Sequence, residues 1–265
     1  MVDKLLITGA GRMGSWLAET LCLDYEVGVY DTDREKLKYL YNTHRFMSME
    51  EIKSFNPDLV INATGLKDTV KAFISIMPYL EQGTIISDIA SVKNGLAKYY
   101  NECGMRFVST HPMFGPTFGN IRDLAGYNAI IIKESDPEGN RFFRDFYNRL
   151  KLSIFDYSFE EHDRVIAYSL SVPFSSTIVF SACMDRLEVP GTTFRRHLDI
   201  ARGLLSEDNY LLSGILLNPW SAEKLHQIMD KLKELIGMIE EGDEEALHEL
   251  FSSLRSNMGR VDAPL

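Results

Sequence analysis

Two side chains in the N-terminal half of the chain have the type and placement needed for proton chemistry. Ser91 follows an apolar run at 83–89 that predicts a buried strand, and His111 follows another at 105–109. Loops that follow the strands of a parallel α/β sheet face its ligand. A histidine there can act as a base for a hydroxyl that loses its proton while hydride leaves the adjacent carbon. The plainer alternatives are a turn histidine and a serine that only caps the next helix.

Further ionisable groups lie in the second half of the chain. His162 and Asp163 open a long predicted helix, from which either could reach over towards His111. Asp163 could equally be a first-turn acid that favours the helix dipole. Arg195 and Arg202 are seven residues apart and share one face of a predicted helix, where a guanidinium fork would suit a substrate carboxylate. A solvated helix face is the alternative for these arginines.

A glycine-rich segment near the N-terminus predicts a dinucleotide site. An apolar strand at 5–7 leads into Gly9, Gly11 and Gly14, and a segment with apolar residues at helical spacing follows. In this context the first glycine allows a tight turn, the second a close approach of the backbone to a pyrophosphate, and the third close helix packing. The helix N-terminus would then face the phosphates. The predicted cofactor-binding residues are Gly9, Ala10, Gly11, Arg12, Met13, Gly14, Asp31 and Thr64.

The carboxylate of Asp31 bears on which dinucleotide binds. Asp31 ends a second predicted strand at 25–30, about 20 residues after the glycines, where an acid accepts hydrogen bonds from both ribose hydroxyls of NAD and repels the 2′-phosphate of NADP. We therefore predict NAD as the cofactor. The nearby Arg34 leaves NADP open, and a turn aspartate is the plainer alternative. Thr64 follows a third strand at 58–63, whose end would be exposed to the cofactor.

The order of predicted elements divides the chain near residue 158. Strands are predicted at 5–7, 25–30, 58–63, 83–89, 105–109, 127–132 and 152–157, with helices between them at 33–41, 48–53, 67–79, 93–101 and 137–150. The short helix at 48–53 is predicted to begin with a serine cap at Ser48. This alternation is typical of a parallel, doubly wound sheet. Only helices are predicted after that, over 159–184 with a kink at Pro173, 193–206, 207–216, 221–241 and 243–258. We predict an α/β fold: an N-terminal Rossmann dinucleotide-binding domain, residues 1–158, and a C-terminal all-helical domain, residues 159–265.

Composition limits the partners of the protein. The chain has 265 residues, 45% of them hydrophobic and 25% charged, as in soluble globular proteins. A net charge of −10 argues against nucleic acid, whose phosphates need basic surfaces. No apolar run is expected to reach the length of a membrane span, and no signal peptide is apparent. Cys22, Cys103 and Cys183 show neither metal-ligand nor disulfide spacing, so we expect no metal and a cytoplasmic location.

The helical half has about 105 residues and would have difficulty burying all of its apolar faces alone. One face of the predicted 221–241 helix is apolar, through Leu225, Ile228, Met229, Leu232, Leu235, Ile236 and Ile239. Together with Ile178, Val179 and Phe180, this stripe predicts a homodimer joined through the helical domain. The alternative is ordinary core within one chain.

Taken together, these motifs resemble those of the prephenate dehydrogenase family of tyrosine biosynthesis. The matching segments are the glycine motif at 9–14, Asp88-x-x-Ser91-Val92-Lys93, His111-Pro112-Met113-x-Gly115, His162-Asp163, Ser169-x-x-x-Pro173 and residues 194–211. They span most of the chain in order. The resemblance implies a Rossmann domain followed by a helical dimerisation domain. It also implies NAD-dependent oxidative decarboxylation of prephenate to 4-hydroxyphenylpyruvate.

The resemblance also implies residue roles. His111 would bond the ring hydroxyl and take its proton as hydride passes to the nicotinamide, and Ser91 would orient His111. Arg202 or Arg195 would bind a substrate carboxylate, and Thr117 stands near a position where many members carry an acid. Arogenate, which differs from prephenate only in its side chain, is an alternative substrate. Another two-domain β-hydroxyacid or imine dehydrogenase, or a nucleotide-sensing binding protein without chemistry, are further alternatives.

Overall fold

The computed structural model describes residues 2–93, 95–115, 123–185 and 189–261. Its centre is an eight-stranded sheet with the strand order β3-β2-β1-β4-β5-β6-β7-β8. The strands are β1 (Lys4–Thr8), β2 (Glu26–Tyr30), β3 (His44–Phe46), β4 (Leu59–Asn62), β5 (Ile85–Asp88), β6 (Arg106–Pro112), β7 (Asn128–Ile132) and β8 (Ser153–Tyr157). The chain leaves β1 towards β2 on one side and returns to β4 on the other, which creates the crevice where dinucleotides bind in such sheets.

The predicted Rossmann-type sheet is confirmed, with one difference in strand direction. Strands β1 to β6 are parallel, whereas β7 runs antiparallel to β6 and β8 runs parallel to β7. A uniformly parallel sheet was expected. The antiparallel pair needs no helical crossover, and the described residues between β6 and β7, 113–115 and 123–127, contain no helix.

Alternating side chains of the central strands pack into two cores, one on each face of the sheet. Leu5 and Ile7 belong to the core of one face and Leu6 to the core of the other, and all three are fully buried. The covering helices are α1 (Arg12–Leu21), α2 (Met49–Phe55), α3 (Thr69–Ile76), α4 (Leu96–Cys103) and α5 (Pro137–Arg149). Burial on both faces explains why these strands appear in the sequence as continuous apolar runs.

Two local predictions differ from the structure near the edge of the sheet. The helix expected over 33–41 is only a short 3₁₀ turn, Arg34–Leu37, capped by the Asp33 carboxylate. Strand β3 was not predicted, because three residues are too few to show an alternating pattern. The serine cap predicted for the following helix is confirmed, since the Ser48 hydroxyl accepts the Glu51 N–H in a capping box.

No strand follows Tyr157 in the described parts of the chain. The remaining elements are α6 (Phe159–Ile166), a π-helical turn (Ala167–Ser171), α7 (Val172–Ala182), α8 (Thr192–Leu205), α9 (Asn209–Leu216), α10 (Ser221–Glu241) and α11 (Glu244–Val261). The predicted boundary at residue 158 falls between β8 and α6. The π turn lies just before Pro173, whose missing N–H cannot bond the carbonyl of Ser169, so the helix is distorted where the kink was predicted.

Helices α6 and α7 with the turn between them form one continuous helix of 24 residues. By length and composition alone it is apolar enough to cross a membrane, because its most apolar stretch of 18 residues has a mean hydropathy of 1.5, and 22% of that stretch is buried. The expectation that no apolar run reaches this length is therefore wrong.

The apolar stripe of α10 lies on the surface of the chain. Within α10 only Ser221 is buried, while Met229, Leu232 and Ile239 expose 44%, 49% and 60% of their surface. Core packing within one chain, the alternative for this stripe, is therefore ruled out for these three residues.

Candidate active site

The glycine loop has the geometry that its sequence predicted. Gly9 has φ +94°, and a Cβ there would lie 2.8 Å from the backbone nitrogen of Thr64. A Cβ on Gly14 would overlap the carbonyl oxygen of Gly9, so only glycine allows α1 to pack this closely. A Cβ on Gly11 would meet nothing within 4 Å. The backbone at Gly11 therefore faces open space, as a site for a pyrophosphate requires.

The Asp31 carboxylate is fixed at the end of β2. Its two oxygens accept the backbone N–H groups of Ala10 at 2.7 Å and Asp33 at 2.8 Å, and the Lys36 ammonium lies 3.6 Å away. Asp31 borders a cavity of about 270 Å³. Lining residues include Thr8, Gly9, Tyr30, Thr32, Met49, Thr64, Ala72 and Ile76. A carboxylate beside an apolar cavity fits the ribose and adenine of a dinucleotide, and Asp31 and Thr64 would hold that half.

The remaining predicted cofactor residues lie around the same crevice. Arg12 and Met13 form the first turn of α1, next to the open face of the glycine loop. The Thr64 hydroxyl and N–H both donate to the side-chain oxygen of Asn62, at 2.6 and 3.1 Å. Asn62 also donates its amide N–H to the carbonyl of Thr69 at 2.8 Å. Asn62 thus positions the loop after β4, a role that its place in an apolar strand did not reveal.

His111 lies near the end of β6, opposite Ile130 of β7, and is buried. Its Nδ1 lies 3.1 Å from Nε2 of His162, which belongs to α6 and is fully buried. The prediction that this helix reaches His111 is therefore confirmed. The carboxyl edge of the sheet that carries His111 is also the edge that carries the glycine loop, because β1 and β6 run in the same direction.

The start of α6 is fixed by local sequence. The Ser158 hydroxyl accepts the N–H of Glu161 at 3.1 Å, and the Glu161 carboxylate accepts the N–H of Ser158 at 2.7 Å. This capping box satisfies donors that a helix N-terminus otherwise leaves unpaired. The Lys133 ammonium also contacts Glu161 at 2.7 Å. The position of His162, one residue further along, follows from this anchored first turn.

Asp163 extends the contact between the two histidines. Its Oδ1 lies 3.2 Å from Nδ1 of His162, and the nearby backbone N–H of Lys93 favours the charged form of its carboxyl group. The backbone carbonyl of Asp163 accepts the side-chain amide of Asn218 at 2.8 Å. One acidic residue of α6 thus contacts both the histidine pair and the loop that follows β5.

Burial decides the charge of these groups. Burial, with the neighbouring His162 and Lys93, holds the pKa of His111 well below its usual 6.5. Burial, with the Lys93 charge, lowers the pKa of His162 to about 3. Burial raises the pKa of Asp163 to about 6, although the contacts with Lys93 oppose the change. At neutral pH both imidazoles are therefore uncharged and the carboxyl group of Asp163 is ionised.

A buried ion pair joins the loop of Ser91 to the strand of His111. The ammonium of Lys93 contacts the Asp88 carboxylate and donates to the carbonyl of Thr110 at 2.7 Å, and the lysine and aspartate side chains are both fully buried. The Tyr100 hydroxyl donates to the other Asp88 oxygen at 2.7 Å. The desolvation of Lys93 lowers its pKa. The sequence analysis noted this segment as a motif but did not predict the ion pair. The feature that could have revealed the pair is a lysine five residues after an aspartate at the end of a strand.

The other predicted site residues are less closely connected. Ser91 is half-buried, and among the described residues no hydrogen bond joins it to His111. Arg195 and Arg202 are exposed on α8, and Arg202 lies 3.4 Å from Asp199. Within the described ranges no hydrogen bond or ion pair links either arginine to the histidine pair. Thr117 lies outside the described residues. The roles of Ser91, both arginines and Thr117 stay predictions.

Comparison with known proteins agrees with this geometry. Residues 25–124 match the family model of the nucleotide-binding domain of prephenate dehydrogenase. A probable arogenate/prephenate dehydrogenase of Methanocaldococcus jannaschii is 24% identical, over 96% of this chain and 60% of that protein, so the chain spans less than two thirds of this relative's length.

Solved structures share the fold over nearly the whole chain. The crystal structure of prephenate dehydrogenase from A. aeolicus in complex with hydroxyphenyl propionate and NAD+ has a TM-score of 0.85 at 20% identity and covers 99% of both chains. Synechocystis arogenate dehydrogenase has a TM-score of 0.77 at 16% identity, covering 97% of this chain and 99% of that chain.

The fold and site define a dinucleotide-binding protein of the Rossmann class with a helical second half. Its glycine loop, its strand-end aspartate and its paired histidines lie along one edge of the sheet. The resemblance to the prephenate dehydrogenase family that the motifs indicated is confirmed, because residues 25–124 match the nucleotide-binding domain of that family.

Proposed function

We propose that this protein is an NAD-dependent prephenate dehydrogenase that converts prephenate to 4-hydroxyphenylpyruvate. The observation that carries the proposal is the uncharged His111 at the same edge of the sheet as the glycine loop. A neutral imidazole beside a hydride acceptor is the arrangement that oxidation of an alcohol requires. The motif match between this chain and the family covers the residues around His111 and Ser91.

The proposed mechanism assigns each step to a group of this chain. His111 accepts the proton of the ring hydroxyl on Nε2, because Nδ1 is engaged by His162. The glycine loop and Asp31 would hold NAD, which would supply the hydride acceptor for the carbon that carries this hydroxyl. Loss of carbon dioxide then sends its bonding electrons through the ring to this oxygen, which takes the proton back from His111, and the aromatic ring that forms makes the reaction strongly favourable. Ser91 bonds the hydroxyl or orients His111, and Arg202 or Arg195 binds a substrate carboxylate.

NAD is the cofactor of this proposal. The family match covers a nucleotide-binding domain, and the related A. aeolicus structure contains NAD+. The Asp31 carboxylate adds a physical reason, since it is buried at the end of β2 and would repel a 2′-phosphate. Both observations favour NAD over NADP.

A substrate panel tests the proposal. Purified protein is mixed with prephenate, arogenate, a β-hydroxyacid or a cyclic imine, each with NAD or NADP, and the appearance or loss of reduced cofactor absorbance is followed. We expect prephenate with NAD to give a kcat/KM at least about tenfold above any other pair, a difference of about 1.4 kcal/mol in transition-state binding. Faster turnover of arogenate would identify an arogenate dehydrogenase instead. NAD binding without turnover of any substrate would indicate a binding protein.

We further propose that two copies associate through their helical halves in the cytoplasm. The exposed stripe of α10 and the exposed Val179 of α7 form apolar surface that a second copy would cover. A lipid bilayer is a poorer occupant, because the first turn of the same long helix holds His162 against His111. The three cysteines of this chain are free, as in proteins of reducing compartments.

Sedimentation measures this association directly. We expect a mass of twice the 30.2 kDa chain, and a single Ile236→Lys substitution should shift the protein towards monomer because it places a charge in the stripe. Lys231→Glu, which changes a charged and exposed residue of the same helix, is the control. A monomer at micromolar concentration would contradict the proposal.

A further inference from the structure

The proposed base and two side chains behind it form a continuous hydrogen-bonded chain. Nδ1 of His111 lies 3.1 Å from Nε2 of His162, and Nδ1 of His162 lies 3.2 Å from Oδ1 of Asp163. His111 and His162 are 51 residues apart in sequence and belong to different elements, β6 and α6. The two rings meet edge to face, with centroids 5.3 Å apart.

The ends of this chain fix its direction. An ionised carboxylate can only accept, so His162 must carry its proton on Nδ1 and present a bare Nε2. Nε2 of His162 can then only accept, so His111 must carry its proton on Nδ1. Both imidazoles are uncharged, so each has one proton and one lone pair. The lone pair of His111 is consequently on Nε2, the nitrogen left for a substrate.

We propose that Asp163, acting through His162, is a positioning residue that holds His111 in the tautomer with Nδ1 protonated and Nε2 ready to accept the substrate proton. This inference deepens the proposed function and rests on it only for the identity of His111 as the base. Neither Asp163 nor His162 needs to contact the substrate. The carboxylate sets which nitrogen of a distant imidazole is basic.

The loop after β5 limits which side chains could replace the Asp163 carboxylate without changing the direction of these hydrogen bonds. The backbone N–H of Lys93, a group that can only donate, lies near enough to the Asp163 carboxylate to favour its charged form. An asparagine at this position would turn its oxygen towards that N–H and its NH₂ towards His162. His162 would then have to accept on Nδ1, and the whole chain would reverse. His111 would carry its proton on Nε2, where it could not act as a base.

The same reversal follows from protonation of the carboxyl group. The charged and titratable groups around Asp163 are His162 on its own helix, Lys93 and Asp88 at the end of β5, and His111 on β6. The pKa of Asp163 is raised to about 6, chiefly by burial, so the productive direction exists above that pH and is lost as pH falls through it. The acidic limb of kcat/KM should therefore follow Asp163, because the pKa of His111 lies well below 6.5.

The tautomer can be read without any turnover. Nitrogen-15 labelling of the six histidines and long-range proton–nitrogen correlation distinguish the two neutral forms, and a His111→Gln sample assigns the His111 signals. At neutral pH we expect the Nδ1–H form in the wild type and the Nε2–H form in Asp163→Asn. An Nε2–H form in the wild type, or an unchanged tautomer in Asp163→Asn, would overturn the proposal.

The kinetic test compares two substitutions at one residue. Asp163→Asn should lower kcat by about 10²–10⁴-fold, the range expected when the base is held in the wrong tautomer. Asp163→Ala leaves the histidines unbiased, so a fraction of molecules stays productive and the loss is about tenfold or less. A merely structural role predicts the opposite order, because asparagine preserves the packing better than alanine. If Asp163→Asn is at least as active as Asp163→Ala, the proposed positioning role of Asp163 is wrong.

Two controls distinguish a change of the His111 tautomer from a general effect of mutating this helix. Glu160→Gln neutralises an exposed acid on the same helix and should leave the rate and its pH profile unchanged. Thermal unfolding and NAD affinity of Asp163→Asn should stay near wild type, since its side chain is partly exposed. If the wild type oxidises none of the substrates, the proposed function fails, while the nitrogen-15 spectra still decide whether Asp163 sets the tautomer.

Discussion

Replacing His111 with alanine is expected to lower kcat for prephenate oxidation by about 10²–10⁴-fold, the contribution of a positioned general base. His111 is the uncharged group whose Nε2 is oriented towards accepting a proton, and alanine removes that nitrogen. NAD affinity should be unchanged, because Asp31 and the glycine loop are untouched. Steady-state rates and equilibrium binding of NAD to the same preparations provide the measurement.

Two further variants make this result interpretable. His111→Gln retains a polar side chain of similar reach in the buried site, so equal losses in both variants would point to the missing base and not to a collapsed pocket. His248→Ala changes an exposed histidine of α11 and should leave the rate unaffected. Near-normal activity in His111→Ala would remove the proposed base and with it the mechanism.

Replacing Lys93 with methionine is expected to reduce the free energy of unfolding by about 3–5 kcal/mol, the cost of removing one partner of a buried ion pair. The Asp88 carboxylate would remain fully buried with the Tyr100 hydroxyl but without its counter-charge. The carbonyl of Thr110 would also lose its donor. Urea-induced unfolding measures the change.

A double substitution separates charge from packing in this prediction. Lys93→Met combined with Asp88→Asn leaves no unpaired charge and should recover much of the lost stability. Lys98→Met, which alters an exposed lysine beside Glu102, should change stability by less than about 0.5 kcal/mol. A loss in Lys93→Met no larger than in Lys98→Met would show that the pair is not a stabilising element.

The pair also bears on activity. Lys93 connects the loop of Ser91 to Thr110, the residue before His111, and its charge helps to keep the pKa of His111 low. In a Lys93→Met variant that folds, the pKa of His111 would therefore be higher, and His111 would become protonated at a less acidic pH. The stability and the chemistry of this edge of the sheet depend on the same buried ammonium.

Several features of this protein depend only on residues that are neighbours along the chain. The glycine spacing, the acid after the second strand and the serine caps are local rules, and the structure confirms the turn at Gly9, the anchored Asp31 and the capped α2. The change from alternating strands to helices alone also appears as a change of period along the chain. Strand β8 ends at Tyr157, one residue before the boundary that this change of period predicted.

The tertiary structure alone decided which distant groups meet. The reversal at β7, the exposure of the α10 stripe, the pairing of Lys93 with Asp88 and the partner of His111 all depend on how elements pack. The sequence showed that His162 could reach His111, but not that Asp163 would contact His162 and lie near the backbone N–H of Lys93. Periodicity records which face of an element is buried, whereas hydrogen-bond partners across 51 residues depend on distances that exist only after folding.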